Sequence, residues 1–316
     1  MSIDTPGEVV LQAEKLRVAY GKNLALTIPA FEVRGRIIAI IGHNGSGKST
    51  MLKTLLELLL PRQGTLHAKW VDDKSETRLV PERHMAFSPE NGAVFEDLPV
   101  ESYVKLWCRI KHRDSNYYKK AGSRIVEQLS VTSLFSKLGR ELSKGQRRRV
   151  QAAVGFLSNP RLFLFDEPFD GLDIMQSAEL AGVMLEESRR MSMIVSSHRM
   201  DVVERIADVV VVLRDGQVHT VGAVDEVCAM LCGGSILVSS DIHQRLSLAT
   251  VVAALKAEFG SCLVNQIGHQ VLVTGSEANL DTLARFFHRQ QINDIKLDPV
   301  RPSLLDAMRY HLNKLN

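Results

Sequence analysis

The chain has 316 residues, enough for one large domain and a small second one, and its 45% apolar and 24% charged residues exclude a generally disordered chain. Its 39 basic and 36 acidic residues leave a net charge of +3, which is too small to point to nucleic acid, and no nucleic-acid partner is expected. No apolar run reaches the roughly 18 residues needed to span a bilayer, and the start MSIDTPGEVV lacks the basic and apolar parts of a signal peptide; a cytoplasmic chain is expected, with any membrane role supplied by a partner.

Val9 to Ala19 and Leu24 to Val33 read as strands, the second closed by Arg34-Gly35. Ile37 to Ile41 is a continuous apolar run of the kind found in buried parallel strands. A Gly-rich loop follows, then a helix from about Lys48 to Leu60, stopped by Pro61. Residues from about 92 to 140 read as largely helical, and Leu162 to Phe165, Met193 to Ser196 and Val209 to Leu213 as further buried strands. Such alternation implies an α/β layered core.

A second composition starts near Gly233-Gly234. Ile236 to Ser239 reads as a strand, Leu246 to Phe259 as a helix, Cys262 to Gln266 and Gln270 to Thr274 as strands around Gly268, Leu280 to Gln290 as a helix and Ile295 to Leu297 as a strand. That βαββαβ order predicts a small α+β, ferredoxin-like domain. The expected division is therefore residues 1–232, with a helical subdomain at about 92–158, and residues 233–316, a regulatory or dimerising unit. Cys108, Cys228, Cys232 and Cys262 contain no CxxC pair and read as small apolar side chains, not as a metal site or disulfide framework.

Gly42-His43-Asn44-Gly45-Ser46-Gly47-Lys48-Ser49-Thr50 has the form GxxxxGK[ST] between a strand and a helix, the context that confirms a polyphosphate cradle. Its glycines let backbone N–H groups turn inward, and the helix N-terminus adds a positive dipole end. Lys48 is expected to reach the β- and γ-phosphates, and the Ser49 hydroxyl to bind Mg²⁺. Leu162 to Phe165 followed by Asp166-Glu167 is the matching acidic strand end. Asp166 is expected to orient the Mg²⁺ hydration shell, and Glu167 to activate the attacking water as general base.

Leu142-Ser143-Lys144-Gly145-Gln146 closely resembles the LSGGQ signature of ABC ATPases, and the resemblance spans roughly residues 8 to 230. It implies a P-loop NTPase fold of the ABC type, with ATP and Mg²⁺ as ligands, and two ATPase subunits facing head to tail, as a homodimer or heterodimer. Each ATP would lie between the phosphate loop of one subunit and Ser143, Gly145 and Gln146 of the other. Tyr20 resembles the aromatic that stacks on adenine, Asp173 in Asp170-Gly171-Leu172-Asp173 the D-loop aspartate, and His198 the switch histidine on the γ-phosphate. Arg147, Arg148 and Arg149 read as a solvated basic helix face.

Two positions depart from the family pattern. Lys144 replaces the first signature glycine, and Glu90 stands where the family has a Mg²⁺-sensing glutamine; its carboxylate is a candidate metal ligand. With Phe87-Ser88-Pro89-Glu90-Asn91 and the ending Pro302-Ser303-Leu304-Leu305-Asp306, they look like the type-2 exporter branch, which includes drug-resistance ATPases and the ATPase that matures nitrous oxide reductase. The resemblance implies an ATP-hydrolysing transporter subunit, peripheral on the inner membrane face and energising a separate transmembrane permease for export or membrane-linked assembly. The alternatives are a soluble ABC ATPase acting on a macromolecule, and a nucleotide-gated structural protein without turnover.

Overall fold

A computed structural model of the chain describes residues 7–72, 75–92, 94–240, 248–292 and 295–313. They form two units that divide between Val221 and Gly222. The first contains β1 (Glu8–Tyr20), β2 (Asn23–Gly35), β3 (Ile37–Ile41), α1 (Lys48–Leu55), β4 (Gln63–Val71), β5 (Glu76–Arg78), α2 (Pro81–His84), β6 (Met85–Ser88), α3 (Val100–His112), α4 (Tyr117–Lys120), α5 (Ser123–Gln128), α6 (Lys144–Leu157), β7 (Leu162–Asp166), α7 (Ile174–Glu187), β8 (Ser192–Ser197), α8 (Met200–Ile206), β9 (Val209–Arg214) and β10 (Gln217–Ala223), at whose end the division falls.

The apolar runs become the centre of a sheet ordered β10-β9-β3-β8-β7-β6. Pairings β6–β7, β7–β8, β8–β3 and β3–β9 are parallel, and β3, β7 and β8 are buried along their whole length, as a sheet covered on both faces requires. Alternate side chains divide between two cores. Phe163, Phe165, Met193 and Val195 face a core built with α3, α5, α6 and α7. Leu162, Leu164, Ile38 and Ile40 face the antiparallel sheet β2-β1-β4-β5. Register then fixes the site: Ile41 pairs with Ser197, and Asp166 with Ser196, so the carboxyl ends of β3, β8 and β7 finish level with one another. Ligands of open α/β sheets bind at such an edge.

The second unit contains α9 (Val224–Cys232), β11 (Ser235–Ser240), α10 (Leu248–Glu258), β12 (Leu263–Ile267), β13 (Gln270–Thr274), α11 (Leu280–Arg289), β14 (Ile295–Val300) and α12 (Leu304–Asn313). Its sheet runs β12-β13-β11-β14 with every pair antiparallel, the order that a βαββαβ chain takes in the ferredoxin-like arrangement. The boundary differs from the expected 232/233. Helix α9 packs on α12, so it belongs to the second unit rather than closing the first. The start expected for α10, at Leu246, lies outside the described residues.

Helix α1 ends at Leu55, short of the expected Leu60: Glu57 turns left-handed at φ 58°, and Leu58 and Leu59 N–H both return to the Lys53 carbonyl well before Pro61. The segment 92–140 is less helical than its composition suggests, with helices of 13, 4 and 6 residues and two 3₁₀ turns at Thr132–Leu134 and Gly139–Glu141. Cys108, Cys228 and Cys232 are buried, Cys262 is half-buried, and none of the four forms a disulfide among the described residues.

Helix α6 reaches the sheet at a glycine. A Cβ on Gly155 would overlap the ring of Phe163 on β7, which already stands edge-on to Phe156 at a centroid distance of 5.1 Å. Gly155→Ala gains about 1 kcal/mol of helix propensity but must overpack this contact at about 1–3 kcal/mol. A net loss of stability is expected in urea unfolding, and a midpoint at or above that of the unsubstituted chain contradicts this packing.

Candidate functional site

The loop after β3 is shaped by close backbone approach. Gly47 sits at φ 106° as the residue before α1, and Gly45 at φ 84°, both in the region glycine occupies without strain. A Cβ on Gly42 would overlap the Leu213 carbonyl. The turn Asp215–Gly216 supports the loop from behind: Gly216 N–H donates to the Ser46 carbonyl at 3.1 Å, and His43 Nε2 lies 3.3 Å from Asp215. No side chain caps α1, which leaves its first N–H groups for a ligand. The Ser46 hydroxyl is fully buried without a hydrogen-bond partner among the described residues. Asn44 and Gly45 are exposed at the loop's tip, and Thr50 is buried, its hydroxyl 3.5 Å from the Tyr20 phenol. Tyr20 is 48% exposed at the end of β1, a large aromatic surface open to a planar partner.

Lys48 and Glu167 join this loop to the acidic strand end. Lys48 Nζ donates to the Gly42 and His43 carbonyls at 3.0 and 3.3 Å and lies 3.3 Å from Glu167 Oε1. Ser49 donates to Asp166 Oδ1 at 3.0 Å, and Ser196 donates to the same oxygen at 2.6 Å. Glu167 stands at φ 49°, a left-handed conformation worth about 1–3 kcal/mol of strain for such a residue. Its N–H is held by the Ser196 carbonyl and hydroxyl at 3.1 and 3.0 Å. Its Oε2 accepts from the His198 N–H at 3.2 Å and lies 2.8 Å from His198 Nδ1. The structure thus brings Lys48, Ser49, Asp166, Glu167 and His198 into one network and adds Ser196, which the sequence reading passed over although it lies two residues before His198.

The signature residues are engaged with the segment after β7. Ser143 caps α6, accepting from Gln146 N–H at 3.2 Å while Gln146 Oε1 accepts from Ser143 N–H at 3.1 Å. Gly145 is pressed so close that a Cβ would lie 2.9 Å from the Gly171 carbonyl. Lys144 Nζ lies 2.5 Å from Asp170 Oδ2, a hydrogen bond that holds the Asp170 carboxyl below the usual aspartate range. Asp173 caps α7 through Gln176 N–H at 2.8 Å.

The expectation of a solvated face for Arg147 to Arg149 is overturned for two of the three. Arg148 is 3% exposed and Arg149 is buried, while Arg147 is half-buried. The cause is that α6 packs against both the turn after β6 and the end of α5, so consecutive arginines reach one or the other. Arg149 Nη1 donates to the Leu129 carbonyl at 3.4 Å, and Arg148 Nη1 donates to the Pro89 carbonyl at 2.7 Å. Glu90 is exposed and lines a cavity of about 370 Å³ with Lys144, Arg147, Arg148 and Gln151.

Among the described residues no cluster of three or more His, Cys, Asp and Glu side chains forms a ready-made metal cage. Ser49 and Asp166, 3.0 Å apart at the loop, suit instead a hard cation that keeps several waters and takes the rest of its oxygens from a phosphate. Nucleotide and Mg²⁺ thus fit the residues present, given the buried Ser46 hydroxyl, the uncapped helix and the paired Ser49 and Asp166.

A sequence model of the ABC transporter family matches residues 22–170. The chain is 27% identical over 221 residues to an uncharacterized ABC transporter ATP-binding protein of Methanocaldococcus jannaschii, a match covering 69% of this chain and 79% of that one. It is 29% identical over 252 residues to the molybdenum import ATP-binding protein ModC of Brucella abortus, covering 73% and 67%. A solved ATP-binding subunit of an ABC transporter superposes with a TM-score of 0.60 at 28% identity, over 70% of this chain and 92% of that one.

Ser196 carries a prediction of its own. Its hydroxyl donates to the Asp166 carboxylate and accepts from the Glu167 backbone N–H, and a hydrogen bond to a charged group contributes about 1.5–3 kcal/mol. Ser196→Ala is expected to lower nucleotide turnover by about tenfold or more, in line with that figure. Steady-state phosphate release at the unsubstituted rate would remove Ser196 from the site.

Proposed function

We propose that the chain is an ATPase of the ABC transporter ATP-binding type, which it resembles in sequence, and that it energises a separate transmembrane permease, with Lys48, Ser49, Asp166, Glu167 and His198 carrying the chemistry. The observation behind this reading is the single network that joins the phosphate loop to the acidic strand end. Backbone N–H groups from Gly42 to Thr50 and the Lys48 ammonium hold the β- and γ-phosphates, and Tyr20 offers its exposed ring to the base. Ser49 and Asp166 would hold Mg²⁺, with Glu90 the further candidate ligand, and the ion would supply charge neutralisation at the phosphates. Glu167 takes a proton from water as its oxygen attacks the γ-phosphorus and ADP leaves, while His198 fixes the carboxylate and contacts the γ-phosphate.

Ser143, Gly145, Gln146 and Asp173 complete the site of a second subunit, so turnover needs a dimer of ATPase chains. No helix of the described residues is long and apolar enough to cross a membrane; attachment to the inner membrane face through the permease is part of the proposal. Export or membrane-linked assembly is supported by the resemblance of Lys144, the turn at Pro89-Glu90-Asn91 and the ending at 302–306 to the type-2 exporter branch. The molybdenum import relative supports the opposite direction, and nucleotide-driven cargo movement in sealed vesicles decides between them. Failure to co-purify any multi-spanning membrane protein from solubilised membranes would favour the soluble alternative. The second unit, with its ferredoxin-like sheet, regulates or dimerises.

Glu167→Gln should retain ATP while hydrolysis falls by about 10²–10⁴, and light scattering should show that form doubling its mass with saturating Mg-ATP. Turnover near the unsubstituted rate would remove Glu167 as the base, and an unchanged mass would remove the two-chain site.

A further inference from the structure

Arg148 is buried deeper than any role in the nucleotide network requires. Its side chain is 3% exposed, and Nη1 is used by the Pro89 carbonyl at 2.7 Å, whereas Nε and Nη2 are buried without a hydrogen-bond partner among the described residues. A buried guanidinium left with free N–H groups is costly unless negative charge compensates it. The neighbouring cation Lys144 is committed to Asp170 at 2.5 Å. Arg148 shares its cavity with Glu90, and the turn that carries Glu90 is pressed onto α6, where a Cβ on Gly92 would overlap the Gln151 amide. Burial lowers the Arg148 pKa, and the carboxylates of Asp170, Glu90, Asp166 and Glu167 act against that lowering. The guanidinium is thus built into the Glu90 turn, whose Pro89 carbonyl it binds and whose cavity it lines.

We propose that Arg148 is a positioning residue for ATP binding: its buried charge is the counter-ion that lets a glutamate stand at position 90 in the cavity they both line, while its hydrogen bond to the Pro89 carbonyl fixes the Glu90 turn on the signature helix. The ligand favoured by this arrangement is the polyanionic triphosphate. Without the guanidinium, the Glu90 turn would keep its carboxylate and lose the buried cation that lines the cavity with it. The inference rests on the nucleotide site proposed above.

The test is a double-substitution cycle on the full chain, read as ATP affinity by fluorescence titration with and without Mg²⁺, with thermal melting alongside. Arg148→Gln should weaken ATP binding by about tenfold or more, most strongly without Mg²⁺, as expected for a charge lost at an effective dielectric near 20. Glu90→Gln added to it should recover most of that loss, and Arg148→Lys should retain most of the affinity. If the double variant is as weak as Arg148→Gln alone, or if Arg147→Gln reproduces the effect, the counter-ion role is overturned. Loss of melting temperature in both Arg148→Gln forms without the affinity pattern assigns Arg148 to structure alone. Failure of the unsubstituted chain to bind ATP would overturn the nucleotide site itself, a result distinct from any of these.

Discussion

Two opposite charges face each other at the mouth of the parallel sheet, Lys48 Nζ and Glu167 Oε1, 3.3 Å apart with both side chains more than nine-tenths buried. Much of the first unit's local structure serves to bring them there. Level strand ends at β3, β8 and β7 set the distance, positive-φ glycines let the loop fold back on Lys48, and the left-handed backbone at Glu167 turns its carboxylate off the strand axis. A buried ion pair of this kind adds little net stability, because desolvation offsets the attraction. Its consequence is poise. In the proposed function, a phosphate entering the loop would compete with Glu167 for Lys48, and the freed carboxylate would then be able to act on water.

Around that pair the site is layered by charge. Asp166 is held by the hydroxyls of Ser49 and Ser196, Glu167 by His198 and by the backbone of Ser196. Lys144 and Arg148 place positive charge on the signature helix against Asp170 and the Glu90 turn. The departure at Lys144 therefore ties the signature to the segment 170–173 within one chain, where a glycine would have no side chain to do so.

What was legible in the sequence was whatever depends on short spacing. GxxxxGK[ST] between an apolar strand and a helix, and an apolar strand ending in Asp-Glu, identify Lys48, Ser49, Asp166 and Glu167 because a few adjacent residues carry the whole geometry. The alternation from Ile236 to Leu297 likewise revealed the second unit's order, since each strand and helix there has its own period. Ser196 and Arg148 were hidden for the opposite reason. Their roles come from strands and turns distant in sequence, and three consecutive arginines look like a wetted face until a turn packs over the helix. The end of α1 was misplaced because Pro61 is the visible stop, whereas the left-handed Glu57 ends the helix first. The 232/233 boundary moved because Gly233-Gly234 is conspicuous, while the packing of α9 on α12 is a long-range contact.

The central claim is that the Lys48–Glu167 pair occupies the place of a phosphate and yields to one. A structure of the chain with Mg²⁺ and a non-hydrolysable ATP analogue tests it most directly. The account predicts Lys48 Nζ within hydrogen-bond distance of a β- or γ-phosphate oxygen, separated from Glu167, with Ser49 and Asp166 on the metal side. A nucleotide bound while Lys48 still rests on Glu167 would contradict it.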